Sequence, residues 1–396
     1  MERGPLGDGT RLTMASTVVV PFRQEDPGVL ERTLGIAARH PSVRRVVAVG
    51  YDRQSIDEVA PAVARVGRTD DTPIDVLPQR RIGTARPGKG DGMLTGFEAA
   101  LADPHTERVH VYDADIRTFS TAWIDRAEIA LDEGFDVARH WFDRAATDAQ
   151  ITWHVTRPLL SMLWPRSILP DVEQPLGGEL AMTRAAAEAL VADPTVRRRS
   201  DWGIDTALTI AIAASGLRLA EVFVPEGKLH GLYGSLADLR TMLTECFEAI
   251  VDLRGTPVPD ASGRTHRVEP AGPPAASVTT KVAFDVESTL PLLGDGWTPE
   301  ERRLAASLPP DLAAGFEAMT AFPTWSFLDD EAWMAFLAHR LDHHRPGDPV
   351  DASLLFRGWA ARVLRHATGP ALGGYDEAMH SLRRTVARFR ERARTA

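Results

Sequence analysis

Val109-His110-Val111-Tyr112-Asp113-Ala114-Asp115 is a short β-prone run that stops abruptly on two carboxylates. Such a run suits a strand buried on both faces. Beyond its end, Asp113 and Asp115 stand one residue apart in a loop and can both face one site. Hard oxygen ligands of this kind suit Mg²⁺ or Mn²⁺ bridging a diphosphate. A D-x-D alone is a weak signal because Asp is common in turns, so its weight must come from its surroundings.

Upstream, Thr17-Val18-Val19-Val20 and Val43 to Gly50 read as two more buried strands, with a shorter one at Ile74 to Leu77. Helix-spaced apolar residues lie between them: Val29, Leu30, Leu34 and Ala37, then residues 55–66, then Met93, Phe97 and Leu101. This alternation predicts an α/β domain with a mostly parallel sheet, whose ligands sit beyond the carboxy-terminal strand ends. Pro21, Gly50 and Asp113 all fall at such ends. Downstream the pattern is less regular: helices near 121–133 and 184–192, and a strand near 217–224. Residues 255–282 are rich in Pro, Gly, Ala, Ser and Thr and read as a linker or long loop. The remainder, 283–396, is helical. Trp333, Phe336, Leu337 and Leu341 form one apolar face and Leu355, Trp359 and Val363 another; these Trp residues read as core. The resulting division is an N-terminal extension over 1–15, expected to be disordered, a catalytic domain over 16–254, the linker, and a helical C-terminal domain.

Composition narrows the function. The chain has 396 residues, 44% hydrophobic and 25% charged, as in an ordinary soluble globular protein. A net charge of −10 argues against nucleic acid or an anionic membrane as the main partner. One cysteine, Cys246, excludes a disulfide framework and a Cys-based zinc site and suggests a reducing, cytoplasmic setting. No run approaches the roughly 18 apolar residues of a membrane span, and the amino terminus lacks the apolar segment of a signal peptide.

Four further motifs could join the Asp pair. Arg80 to Gly92 (RRIGTARPGKGDG) mixes glycines with the cations Arg81, Arg86 and Lys89 and leads into a helix, a suitable phosphate site without Walker A spacing. Lys89, flanked by Gly88 and Gly90, is the preferred phosphate contact. In Gly227-Lys228-Leu229-His230-Gly231-Leu232-Tyr233-Gly234, His230 could complete a metal site begun by Asp115, an arrangement Mn²⁺ tolerates better than Mg²⁺. In Arg198-Arg199-Ser200-Asp201-Trp202-Gly203-Ile204-Asp205, Asp205 opens a helix, either as its cap or as a carboxylate near the reacting atoms. Gln174-Pro175-Leu176-Gly177-Gly178-Glu179 can expose backbone groups to a small polar ligand or form a plain turn. Arg144 could fork onto a carboxylate or make a surface ion pair.

Taken in order, VVVPF, RPGKGDGM, YDAD, ITW, QPLGGEL, RRRSDWGID and PEGKLHGLYG resemble the mannosylglycerate synthases, from about Ser16 to the carboxy terminus. That resemblance implies a GT-A-type α/β fold with a helical C-terminal domain. It also implies retaining transfer of mannose from GDP-mannose to the 2-hydroxyl of D-glycerate, with Mn²⁺ or Mg²⁺ as cofactor, in a homo-oligomer. By position it implies that Asp115 and His230 bind the metal, with Asp113 and Ala114 towards the donor. Gln79 and Lys89 would contact the donor, beside Pro21, Arg23 and Glu25. Arg144, Thr152, Leu176, Gly177 and Tyr233 would surround the acceptor, and Asp205 would stand at the reaction centre. Arg23 departs from the lysine expected there, and its guanidinium forks where an ammonium does not. Another donor (GDP-glucose or a UDP-sugar) or another hydroxy acid would fit the same class. A sugar-phosphate nucleotidyltransferase would carry its Gly- and Lys-bearing loop directly after the first strand, which this chain does not. A non-catalytic sensor would not need Asp205, Lys89 and the Asp pair together.

Overall fold

A computed structural model describes residues 15–66, 72–229 and 235–395. Its sheet strands are β1 (Ser16–Phe22), β2 (Val43–Gly50), β3 (Ile74–Pro78), β4 (Arg108–Val111), β5 (Val137–Trp141), β6 (Leu180–Thr183), β7 (Leu219–Phe223) and β8 (His266–Val268). The helices up to the end of the sheet region are α1 (Pro27–Ala38), α2 (Arg53–Val66), α3 (Lys89–Leu101), α4 (Thr121–Asp132), α5 (Arg157–Leu163), α6 (Arg184–Ala192), α7 (Pro194–Arg197), α8 (Gly203–Ala214) and α9 (Arg240–Leu253). After them come α10 (Ala276–Thr279), α11 (Leu290–Gly294), α12 (Pro299–Ala306), α13 (Pro310–Ala321), α14 (Asp330–His343), α15 (Pro349–Ala367) and α16 (Tyr375–Thr395).

The strand order is β3-β2-β1-β4-β6-β5-β7-β8. Only β6 runs antiparallel to its neighbours β4 and β5; the other pairings are parallel. The two-residue period of a strand decides which core each side chain joins. Val19 packs with Met93 and Phe97 of α3 on one face, while Val18 and Val20 pack with Leu30 and Leu34 of α1 on the other. Helices on both faces explain why these strands read as unbroken apolar runs. The parallel topology gathers the carboxy-terminal ends of β1, β3, β4, β5 and β7 along one edge of the sheet. Because β6 is reversed, the loop before it reaches the same edge.

Three strands differ from the sequence reading. β5 and β6 fall where no strand was expected, and β8 lies inside 255–282, read as a linker or long loop. There Leu219↔His266 and Glu221↔Val268 pairing draws the chain onto the sheet edge.

Helices α11 to α15 enclose a second core with α9, in which Phe247, Phe316, Trp333, Phe336 and Trp359 are fully buried. Each such side chain contributes roughly 2–3 kcal/mol through burial. This core is continuous with Ile151, Val155 and Leu159 of the sheet region. Helix α16 returns to the sheet region, where Leu382 and Val386 pack on Trp153 and Arg390 pairs with Asp171 at 2.7 Å. Among the described residues no helix is long and apolar enough to cross a membrane.

Candidate active site

The edge of the sheet holds a chain of alternating charges. Asp113, just beyond β4, receives the Lys89 ammonium on one carboxylate oxygen at 3.1 Å and the Lys228 ammonium on the other at 2.6 Å. Lys89 also reaches Asp205 at 3.1 Å, and Lys228 reaches Glu179 at 2.5 Å. The order is therefore Asp205–Lys89–Asp113–Lys228–Glu179, with three carboxylates on two ammoniums.

Each member arrives on a different element. Lys89 is the first residue of α3, Asp205 the third of α8, Glu179 precedes β6 and Lys228 follows β7. Lys228 comes out of a turn in which Gly227 has φ +65°, a conformation that favours glycine. Lys89 reaches Asp113 across Gly178, where a Cβ would stand 2.3 Å from its Nζ. The glycines of the Lys89 loop serve a related purpose. A Cβ on Gly90 would lie 2.2 Å from the Arg199 carbonyl oxygen, so the loop lies flat on the backbone of 198–201. That close approach is to the protein's own chain, and the cations around it are similarly committed: Arg81 to Asp91 and Arg86 to Glu245.

The electrostatics follow from burial and pairing. Burial depresses the Lys89 ammonium, but Asp113, Asp205 and Glu179 outweigh it and hold it well above its ordinary value. Burial likewise opposes ionisation of Asp113, yet Lys228 and Lys89 hold its carboxyl well below the usual range. For Asp205 burial wins over Lys89 and the carboxyl is raised. Glu179 is raised by burial, with Lys228 opposing and Asp113 adding to the rise. Glu25 is raised by burial and then by Asp115. One oxygen of Asp205 and one of Glu179 are buried without a hydrogen-bond partner.

The charges face a cavity of about 370 Å³, within the size range of small-ligand sites. It is lined by Pro21, Arg23, Glu25, Gln79, Ala114 and Asp115, by Arg144, Thr152 and Leu176, and by Lys89, Asp113, Asp205 and Lys228. Arg23 lies 4.2 Å over the Tyr51 ring. Arg144 makes a long contact of 3.4 Å to Asp148 and lies 4.9 Å over the Phe142 ring, and its Nε has no hydrogen-bond partner among the described residues. Asp205 does not cap α8; Trp202 occupies the cap position, and the Asp205 side chain turns to Lys89 instead. Gly177 does not line the cavity. Its amide donates to the Gln174 carbonyl at 2.8 Å, closing a turn against Arg139. His230 and Tyr233 lie outside the described residues.

Of the Asp pair, one carboxylate is left for a divalent cation. Both oxygens of Asp113 are taken by ammoniums, whereas Asp115 faces the cavity with no hydrogen bond or ion pair to another described residue. Among the described residues no group of three His, Cys, Asp or Glu is assembled for a metal.

Three charged residues escaped the sequence reading. Lys228 and Glu179 stand inside motifs whose local signal is their glycines and His230. Arg139, on β5, is fully buried, and none of its guanidinium nitrogens has a hydrogen-bond partner. Burial lowers its pKa, opposed by Glu221, Asp205 and Glu179, so it is a positive charge set behind the two part-satisfied carboxylates. An arginine interrupting an otherwise apolar run is the signal that could have found it.

A mostly parallel sheet with a charged cavity at its carboxy-terminal edge fits a glycosyltransferase, and the family model described as "Mannosylglycerate synthase, GT domain" matches residues 16–252. A second, "Mannosylglycerate synthase C-terminal domain", matches 278–386. The chain belongs to the mannosylglycerate synthase family. It is 44% identical over 383 residues to the mannosylglycerate synthase of Rhodothermus marinus, covering 96% of this chain and 95% of that one. It is 46% identical over 378 residues to that of Selaginella moellendorffii, covering 94% and 88%. Among solved structures, glucosyl-3-phosphoglycerate synthase from Mycobacterium tuberculosis, in complex with Mn²⁺, UDP and phosphoglyceric acid, is 21% identical. It aligns over 63% of this chain and 80% of that one at a TM-score of 0.49.

Proposed function

We propose that this glycosyltransferase moves mannose from GDP-mannose to the 2-hydroxyl of D-glycerate with retention of configuration. The observation that carries the reading is the Asp205–Lys89–Asp113–Lys228–Glu179 charge chain, whose first four members line one cavity together with the expected donor residues and with Arg144, Thr152 and Leu176. The names of the two relatives supply the product class.

Asp115, with His230, would hold Mn²⁺ or Mg²⁺, which when bound supplies neutralisation of the charge growing on the diphosphate. The chain's own residues do the rest. Lys89 is a fixed ammonium beside the departing phosphate, and electrostatic preorganisation of this kind is worth more than any proton relay here. The bond from the anomeric carbon to the phosphate oxygen breaks as the bond to the glycerate oxygen forms on the same face, and the glycerate hydroxyl proton passes to the departing phosphate. Asp205 is buried and tied to Lys89, which suits orienting the sugar or balancing its developing positive charge better than forming a covalent adduct. Arg144 would fork onto the glycerate carboxylate.

The test is product identification with GDP-mannose, GDP-glucose and UDP-sugars against D-glycerate and other hydroxy acids, with Mn²⁺. Mannosylglycerate from GDP-mannose is expected, and Arg144→Ala should raise the KM for D-glycerate by about 10- to 100-fold. An unchanged KM would remove Arg144 from the acceptor site, and preferential turnover of a UDP-sugar would overturn the donor.

A further inference from the structure

Residues 144–156 carry Arg144 and Thr152 along one wall of the cavity, and their backbone is unusual. Ala149 has φ +52°, a left-handed conformation that costs a non-glycine residue free energy. Three residues later the chain enters a π-helix at Thr152–Thr156, a rare form that concentrates at functional sites. Local propensity does not select either feature, so tertiary contacts must hold them.

Those contacts come from the C-terminal helices. The His366 Nε2–H on α15 donates to the Ala146 carbonyl at 2.9 Å. The Trp359 indole, also on α15, donates to the Gln150 carbonyl at 3.3 Å. The Trp333 indole on α14 donates to the His154 carbonyl at 2.7 Å. All three donors are buried, and a buried carbonyl that loses a donor loses satisfaction that water cannot restore; the Ala146 carbonyl also accepts from Gln150 Nε2 at 3.3 Å. On the outer side of the segment, Thr147 Oγ1 accepts from the Ala283 amide at 2.9 Å.

We propose that Trp333, Trp359 and His366 are positioning residues for the acceptor: their three N–H groups clamp an arch that is strained by itself, and so fix Arg144 and Thr152 at the cavity. The helical region thereby acts on one substrate and not the other, because Pro21, Gln79 and Lys89 on the donor side receive no such bonds from α14 or α15. The consequence for acceptor binding rests on the acceptor reading of Arg144.

The experiment compares Trp359→Phe, Trp333→Phe and His366→Phe, which each remove one N–H and keep a ring, with Phe336→Leu. Phe336 stacks 5.2 Å from Trp333 in the same core and donates nothing to the arch, so its truncation reports the loss of packing on a clamp residue without the loss of an N–H. The clamp variants are expected to raise the KM for D-glycerate about 3- to 10-fold with the KM for GDP-mannose within twofold. They are also expected to speed amide exchange across 146–156, while Phe336→Leu moves neither. The exchange readout needs no substrate. If exchange in the arch is unchanged in the clamp variants, or is equally fast in Phe336→Leu, the clamp is wrong. If exchange accelerates but the acceptor KM does not move, the arch is clamped without positioning the acceptor and the proposal fails at that step. Failure of the Arg144→Ala test instead removes only the acceptor reading. Three independent variants keep the result readable should one not fold.

Discussion

At its amino-terminal end β4 brings Arg108 and His110 to Glu128; at the other end the chain leaves β4 to bring Asp113 to Lys89 and Lys228. Both ends are buried ionic clusters, yet their completeness differs. Glu128 accepts from Arg108, His110, Ser16 and Ser42, and Arg108 continues to Asp132 at 2.6 Å. Burial works against ionisation of Glu128, but the bond from His110 and these other partners bring its pKa down to about 2. At the far end one oxygen each of Asp205 and Glu179 lacks a partner, Asp115 is unpaired among the described residues, and the cluster opens on a cavity. A saturated cluster holds structure together. An unsaturated one beside a cavity keeps capacity for something that binds.

The comparison breaks most visibly at Lys89. Lys89→Met should lower turnover about 10³-fold if it removes the positive charge proposed to stand beside the leaving group, with circular dichroism showing the fold retained. Activity within tenfold of the parent would mean that the open cluster is as structural as the closed one.

The converse prediction concerns Glu128. Glu128→Gln should reduce unfolding free energy by about 3 kcal/mol at pH 7 and leave kcat per folded molecule within twofold. Its folded pKa lies below the ordinary value of 4.5, so its stabilisation is fully present above that value and is lost as pH falls towards about 2. Urea titrations of parent and variant should therefore diverge by the same amount at pH 7 and pH 6 and converge below pH 4. A constant gap at all pH values would show that packing, not charge, is what the substitution removed.

The same contrast explains what sequence could convey. β1, β2 and β4 are legible because both faces are covered by helices, which leaves an apolar run ending at Asp113. β5 is not, because Arg139 and His140 break the apolar pattern; both are completely buried, His140 with its ring bonded to the Trp123 carbonyl and Arg139 without a hydrogen-bond partner for its guanidinium. β6 (Leu-Ala-Met-Thr) contains helix formers, and pairing with β4 and β5 overrides that preference. Among site residues, Asp113, Lys89 and Asp205 were visible through motif context. Lys228 and Glu179 carry no such local signal, because their meaning depends on Asp113, which is 115 residues from Lys228. Local signals such as a strand end or a glycine before a lysine survive in one sequence; the pairing of charges across that distance does not.

The finest test lies at Gly178, where the open cluster meets the backbone. A Cβ there would lie 2.3 Å from the Lys89 Nζ and 3.1 Å from its Cε. These are the far end of a flexible side chain, so Gly178→Ala should displace the ammonium and not the fold. Gly90→Ala differs, because its Cβ would strike the Arg199 backbone carbonyl at 2.2 Å and force one loop off the other. We therefore expect Gly178→Ala to lower kcat about tenfold, equivalent to about 1.4 kcal/mol in the barrier, with the unfolding free energy changed by less than about 0.5 kcal/mol. Gly90→Ala should lower the melting temperature as well as activity. If Gly178→Ala retains full turnover, the Lys89 ammonium has room to reach its working position by another path, and contact with Asp113 through the Gly178 gap is not what places it.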